Sequence, residues 1–248
     1  MLTSVSTLLA QAVRHRTHTL LCSISSHELL EATVAAAEES GHSFIVTIKA
    51  SHKGQHASLH TLLATAVWRL EHHPMKWAVA LDLSIWNATE QRRFLHALEN
   101  FPALTLITNF QHREIPKGWG SIEALPAIPT TADIISLDRS HAPHAISLPL
   151  PSENGRTDPT LVSQVAALHQ ATSQPLVAQE ALLTPQMLTK YLRAGITAVT
   201  LDEQLEEAFT AGLRTGLRNR SLSHPEVYLA KGRLAVTNCI INYLHHLN

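Results

Sequence analysis

Short apolar runs rich in β-branched residues alternate along the chain with longer stretches of helical periodicity. That pattern predicts parallel strands joined by crossover helices. Eight runs qualify as strands: Thr19–Ser23, Phe44–Lys49, Trp77–Asp82, Leu104–Thr108, Ser121–Ala124, Ile134–Leu137, Leu176–Ala178 and Ala198–Leu201. Helices are predicted between the first four, over Glu28–Glu39, Leu59–Glu71 and Thr89–Leu98. Leu29, Leu30, Val34 and Ala37 share one face of the first of these, and Ser40-Gly41 is its stop signal. Pro159–Gln170 and Pro185–Arg193 resume the alternation, each with proline near the first helical position, where its missing N–H costs nothing. Met1–Val13 reads as an opening amphipathic helix, and Leu205–Arg218 and Ala230–His246 as closing ones. Leu205, Phe209, Leu213 and Leu217 recur at every fourth position, as a core-facing stripe does.

The middle breaks this rhythm. Between Phe110 and Ile134 stand Pro116, Pro126 and Pro129 with Gly118 and Gly120, leaving too little room for two full helices. No repeat, low-complexity tract or linker divides the chain. Residues 1–248 are therefore expected to form a single (β/α)8 TIM barrel, with helices four and five shortened or missing and extra C-terminal helices.

Composition narrows the function. At 248 residues and 45% hydrophobic, the chain can bury a substantial core. Nineteen Lys and Arg against 20 Asp and Glu give a net charge of −1, which leaves no field to gather nucleic acid or an anionic membrane. No run approaches the ~20 apolar residues of a membrane span. The N-terminus lacks the basic start and long apolar run of a signal peptide. Cys22 and Cys239 lie far apart, outside any Cys-x-x-Cys pair, which argues against a disulfide framework or zinc ribbon. A cytoplasmic protein is expected.

Histidine is abundant, at 17, and glycine scarce, at 9. His52, His56 and His60 are spaced so that a continuous helix would align them as metal ligands, but Gly54 interrupts the run. They read as solvated loop and helix-start residues, or as part of a rebuilt metal site with His27, His112, His141 and His144, assigned to loops after strands one, four and six. His72-His73 precedes a strand at the opposite end and reads as surface. Lys49 and Asp82 end adjacent strands, so both belong at the barrel mouth. There they form either an ion pair, in which the ammonium offsets a buried carboxylate, or a Schiff-base lysine with a carboxylate to shuttle protons. Ser23 adds a hydroxyl at the end of the first strand, with nothing to activate it as a nucleophile.

The run Gly195-Ile-Thr-Ala-Val-Thr-Leu-Asp-Glu-Gln-Leu-Glu-Glu-Ala-Phe-Thr-Ala-Gly-Leu-Arg214, followed by His224-Pro-Glu-Val-Tyr-Leu-Ala-Lys-Gly-Arg233, resembles the end of the class II fructose-bisphosphate and tagatose-bisphosphate aldolases. There a last barrel strand leads into an Ala-Phe-Thr-x-Ala-Leu-Arg helix and an Asp-Pro-Arg-x-Tyr-Leu turn. Looser similarity covers nearly the whole chain, through Glu28–Glu39, Phe44–Lys49, Ala78–Asp82 and Gln174-Pro-Leu-Val-Ala178. The resemblance implies a (β/α)8 barrel. It also implies chemistry in which three histidines hold a divalent metal, usually zinc, that polarises a ketose-phosphate carbonyl and stabilises the enediolate.

Position by position, the resemblance implies loss. The stretch Ala80-Leu-Asp-Leu-Ser84 keeps the catalytic Asp82 but has Leu83 where the family has its first histidine ligand. Gln179-Glu-Ala-Leu182 replaces a His-Gly-Gly-Ser-Gly loop, and Ser140-His-Ala142 leaves His141 as the residual candidate ligand, with His144 as the alternative. Thr200-Leu-Asp-Glu203 keeps only Asp202 of the substrate-binding stretch, and Glu123 matches either of two family glutamates. Asp82 and Lys49 are thus the catalytic candidates, and Ser23, Gln179, Thr200 and Asp202 the substrate-binding ones. No cofactor is expected, zinc only if other histidines rebuild the site. The expected protein is catalytically inactive, either a regulatory or structural subunit beside an active aldolase or a copy of itself, or a binder of a sugar-phosphate-like ligand. The alternative is an active aldehyde-lyase that uses a rebuilt metal site or Lys49.

Overall fold

Eight parallel strands close on themselves in chain order: β1 (Thr19–Ile24), β2 (Ile45–Lys49), β3 (Ala78–Asp82), β4 (Thr105–Asn109), β5 (Gly120–Ala124), β6 (Ala145–Pro149), β7 (Leu176–Gln179) and β8 (Ile196–Leu201). The computed structural model describes residues 1–49, 56–84, 86–98, 101, 104–109, 115, 119–134, 143–150, 159–179, 185–218 and 224–247. Around the barrel run α2 (His27–Ser40), α3 (His56–Glu71), α4 (Ala88–Ala97), α5 (Pro159–Ala171), α6 (Pro185–Arg193), α7 (Glu203–Leu217) and α8 (Pro225–Leu247), and α1 (Val5–His15) precedes β1. None of the described helices is long and apolar enough to cross a membrane.

Because side chains alternate along a strand, each strand serves two cores. Leu21, Ile45, Ala78, Ala80, Ile107, Ile122, Ala124, Ala145, Val177 and Ala198 point inward, and Val5, Leu8 and Leu9 of α1 plug the N-terminal end. The intervening positions, among them Cys22, Val46, Leu81, Leu106 and Ile146, pack against the helices. Local signals agree with this layout. Ser26 accepts from the N–H of Leu29 at the start of α2, and Gly41, at φ +71°, ends that helix in the left-handed region. Asn87 and Glu90 form a reciprocal capping box at α4.

The middle of the chain is short of helix, as its prolines and glycines imply. The described residues hold no helix between β4 and β5, and only the helical turn 131–134 between β5 and β6. That turn displaces the expected sixth strand. Ile134 is not the start of a strand, because Thr130 and Asp133 cap each other, with Thr130 Oγ1 donating to Asp133 Oδ2 at 2.7 Å and the Asp133 N–H donating to Thr130 Oγ1 at 3.3 Å. Strand six is instead Ala145–Pro149, where proline needs no ladder N–H at the strand's end.

Two further expectations are corrected. The α7 stripe begins with a buried Leu205 but ends with Leu217 58% exposed. Glycines take its place at the contact with α8: a Cβ on Gly212 would lie 2.4 Å from the Lys231 carbonyl oxygen, and one on Gly232 would lie 2.5 Å from Phe209. The two backbones approach too closely for larger residues. His73 is buried rather than on the surface. Its Nδ1 accepts from the Trp77 indole N–H at 3.0 Å and the Met75 N–H at 3.2 Å, so its Nε2 carries the proton toward Glu38 at 3.0 Å.

Gly212→Val is expected to lower unfolding free energy by about 1–3 kcal/mol through overpacking of this contact. Urea unfolding followed by circular dichroism measures it, and an unchanged midpoint would contradict the packing described.

Candidate functional site

Active sites of such barrels lie at the C-terminal ends of the strands. There the register places Lys49 of β2 beside Asp82 of β3. Asp202 follows the last residue of β8 and sits at the N-cap position of α7. An aspartate at that position usually accepts a hydrogen bond from its own helix. Here it makes no such cap, and its carboxylate accepts from Lys49 Nζ, across the width of β1. The Asp202 N–H instead donates to the Gln204 side chain at 3.1 Å.

The sequence suggested pairing Lys49 with Asp82; the structure pairs it with Asp202. Asp82 lies within the field of both. Its Oδ1 accepts from the Ser84 N–H at 2.9 Å. Burial pushes its carboxyl above the ordinary aspartate range and the Asp202 charge adds to the rise, against the Ser84 hydrogen bonds and the Lys49 ammonium. The turn that presents it is pinned by Gln91, whose amide donates to the carbonyls of Leu83 at 2.9 Å and Trp86 at 3.1 Å.

Ser23 and Thr200 occupy inward positions of β1 and β8, and Gln179 ends β7 beside Pro149. The structure thus gathers Ser23, Lys49, Asp82, Gln179, Thr200 and Asp202 around one mouth. It adds a residue that the sequence reading missed. Thr47 lies one inward position below Lys49, is 1% exposed, and its Oγ1 has no hydrogen-bond partner among the described residues. The signal was its spacing of two from Lys49 on a single strand.

The histidines fall elsewhere. With strand six relocated, His144 precedes it, toward the end opposite the mouth, and His141 is outside the described residues. His144 packs against Gly120, with its Nδ1 accepting from the Ser121 N–H at 3.2 Å. His27 is exposed at the start of α2, and His60 packs edge-on against Phe101. His52, His112 and the side chain of His56 are outside the described residues. Among the described residues no group of three His, Cys, Asp or Glu is placed to hold a metal ion. Leu83 is buried in the outer core, Gln179 ends β7, and β6 ends in Pro149, followed by a buried Leu150. An ammonium, two carboxylates, an amide and hydroxyls do not fit a three-imidazole zinc site.

Glu123 is set apart by strand parity. It faces the outer layer, opposite to the inward Ile122 and Ala124, beside Thr108 in register. It is 8% exposed and its Oε1 has no partner, and burial raises its carboxyl to about 7. It cannot serve as a mouth carboxylate.

Solved structures share this architecture. The YdjI aldolase from Escherichia coli K12 superposes with a TM-score of 0.82 at 13% identity, covering 100% of this chain and 98% of that one. A Coccidioides immitis protein assigned as a fructose-1,6-biphosphate aldolase gives 0.78 at 12%, covering 98% and 94%. Fructose-bisphosphate aldolase (Fba) from Campylobacter jejuni gives 0.77 at 9%, covering 100% and 95%. No protein-family model and no curated protein matches the chain. The likeness establishes that the chain shares the (β/α)8 barrel fold of these aldolases, and the chemistry must be argued from the site.

Lys49→Met leaves two carboxylates facing each other at the mouth. Truncating one partner of a buried pair costs 3–5 kcal/mol, and with the Lys49 side chain 30% exposed a loss of about 1–3 kcal/mol is expected at pH 7. Adding Asp202→Asn is expected to recover most of it in a double-mutant cycle. Asp82 and Glu123, both raised in the folded state, bind protons more readily folded than unfolded. Each therefore costs stability that appears as pH rises from the ordinary carboxylate range through the folded pKa, and is absent below it. For Glu123 that window ends at about 7. Glu123→Gln is expected to gain on the order of 1 kcal/mol at pH 8 and nothing at pH 4, in denaturant titrations at both pH values. A gain that does not change with pH would contradict the assignment.

Proposed function

We propose that this chain is a catalytically silent barrel with the class II aldolase fold, and that its mouth binds a small ligand without a metal. One observation carries this reading: where the aldolase resemblance calls for a metal held by three imidazoles, the mouth has a Lys49–Asp202 ion pair with Asp82 beside it. Breaking a carbon–carbon bond next to a carbonyl needs an electrophile to take up the developing enediolate charge. Lys49 is the cation at hand among the described residues, and it is already bonded to Asp202.

Two roles follow for such a barrel, a ligand sensor or a regulatory subunit beside an active aldolase or a second copy of itself. The polar mouth favours the sensor. We place it in the cytoplasm, a location supported by the free thiols Cys22 and Cys239. The competing reading is an aldehyde-lyase working through a Lys49 Schiff base, and the proximity of Asp82, a carboxyl that retains its proton more readily than usual, is the feature in its favour.

Cleavage of fructose or tagatose bisphosphate is expected to be absent with zinc supplied. Borohydride reduction in the presence of keto-sugars is expected to leave the protein mass unchanged. A covalent adduct that disappears in Lys49→Met would establish the lyase instead.

A further inference from the structure

Among the described residues the mouth holds more acid than base. Lys49 brings one ammonium, bonded to Asp202. Asp82 accepts a hydrogen bond from Ser84 but makes no ion pair among the described residues, and it is half-buried, so a small molecule entering the mouth can reach it. Its charge is costly where it lies, because burial and the neighbouring Asp202 both oppose ionisation. A second cation beside it would relieve both effects.

An independent feature points to the rest of such a ligand. Thr47 Oγ1 faces the barrel interior with no hydrogen-bond partner among the described residues, and a buried hydroxyl left unpaired is expensive. Thr47 and Asp82 are diagonal neighbours on adjacent strands, a span of roughly 8 Å by strand spacing and rise. The inward neighbours in register with Thr47 are small, Ser23 on β1 and Ala80 on β3.

The same region is hostile to phosphate. In these barrels phosphate is commonly held by the loops after strands seven and eight and by a helix N-terminus there. Here that location carries Asp202, with Glu203 and Glu206 in the first turn of α7, and Glu180 follows β7 in the sequence.

We propose that the barrel mouth binds a small organic cation, an amine bearing hydroxyl groups, with its ammonium on Asp82 and a hydroxyl on Thr47. This rests on reading the mouth as a metal-free binding site and replaces the expected sugar-phosphate ligand with an unphosphorylated one.

Isothermal titration calorimetry on the full chain tests it with matched pairs: serinol and glycerol, aminobutanol and butanediol, glucosamine and glucose, with inorganic phosphate as the anionic control. In at least one pair the amine is expected to bind about tenfold or more tightly than its uncharged counterpart, the scale of a charge-assisted hydrogen bond. Phosphate is expected not to bind. Asp82→Asn keeps an acceptor for Ser84 and is expected to abolish the difference, and Thr47→Val, of similar shape, to weaken the amine several-fold while the chain stays folded. The proposal is overturned if no amine outperforms its counterpart, if phosphate binds as tightly as the amines, or if Asp82→Asn keeps the preference. Zinc content, measured on the same preparation, separates the two failures. A zinc ion on every chain defeats the metal-free reading itself, whereas metal-free protein with no amine preference defeats only the choice of ligand.

Discussion

A carboxylate removed from water must be matched by positive charge or give up its own. That constraint organises the mouth of this barrel. Asp82 and Asp202 stand near one another, burial opposes the charge on Asp82, and among the described residues Lys49 is the cation beside them. The arrangement also explains local oddities. Asp202 leaves α7 uncapped because its carboxylate is engaged elsewhere, and Gln204 accepts the Asp202 N–H instead. With Lys49 bonded to Asp202, its ammonium is a poor nucleophile, and that pairing is what the proposed lack of catalysis rests on.

Strand parity decides which residues take part. A side chain one position along a strand faces the opposite core. Asp82 faces the mouth and Leu83 packs in the outer core against the helices. Glu123 illustrates the same rule in reverse. It looks by type like an acid–base residue, yet its position between Ile122 and Ala124 turns it away from the mouth and leaves it a buried carboxyl that titrates near neutrality.

Much of this was legible in the sequence where the signals were local. Alternating apolar runs gave seven of the strands near their observed places, and Gly41, Pro159 and Pro185 marked helix boundaries as expected. Ile134–Leu137 failed because two β-branched residues outweighed the Thr130–Asp133 cap just before them, while the true strand was passed over at Pro149. That error carried His144 to the wrong end of the barrel. The Lys49–Asp202 bond was hidden for another reason: 153 residues separate the partners, and adjacency of β2 and β3 favoured Asp82. Thr47 was unremarkable as a strand threonine, and only its buried, unpartnered hydroxyl singles it out.

The central claim is that an ammonium and two carboxylates occupy the place where a metal would otherwise sit. Equilibrium dialysis against zinc at neutral pH, followed by elemental analysis, tests it most directly. The account predicts no stoichiometric zinc, in the native chain or after dialysis. One tightly held zinc per chain, lost on replacing Asp82 or Asp202 by asparagine, would contradict it.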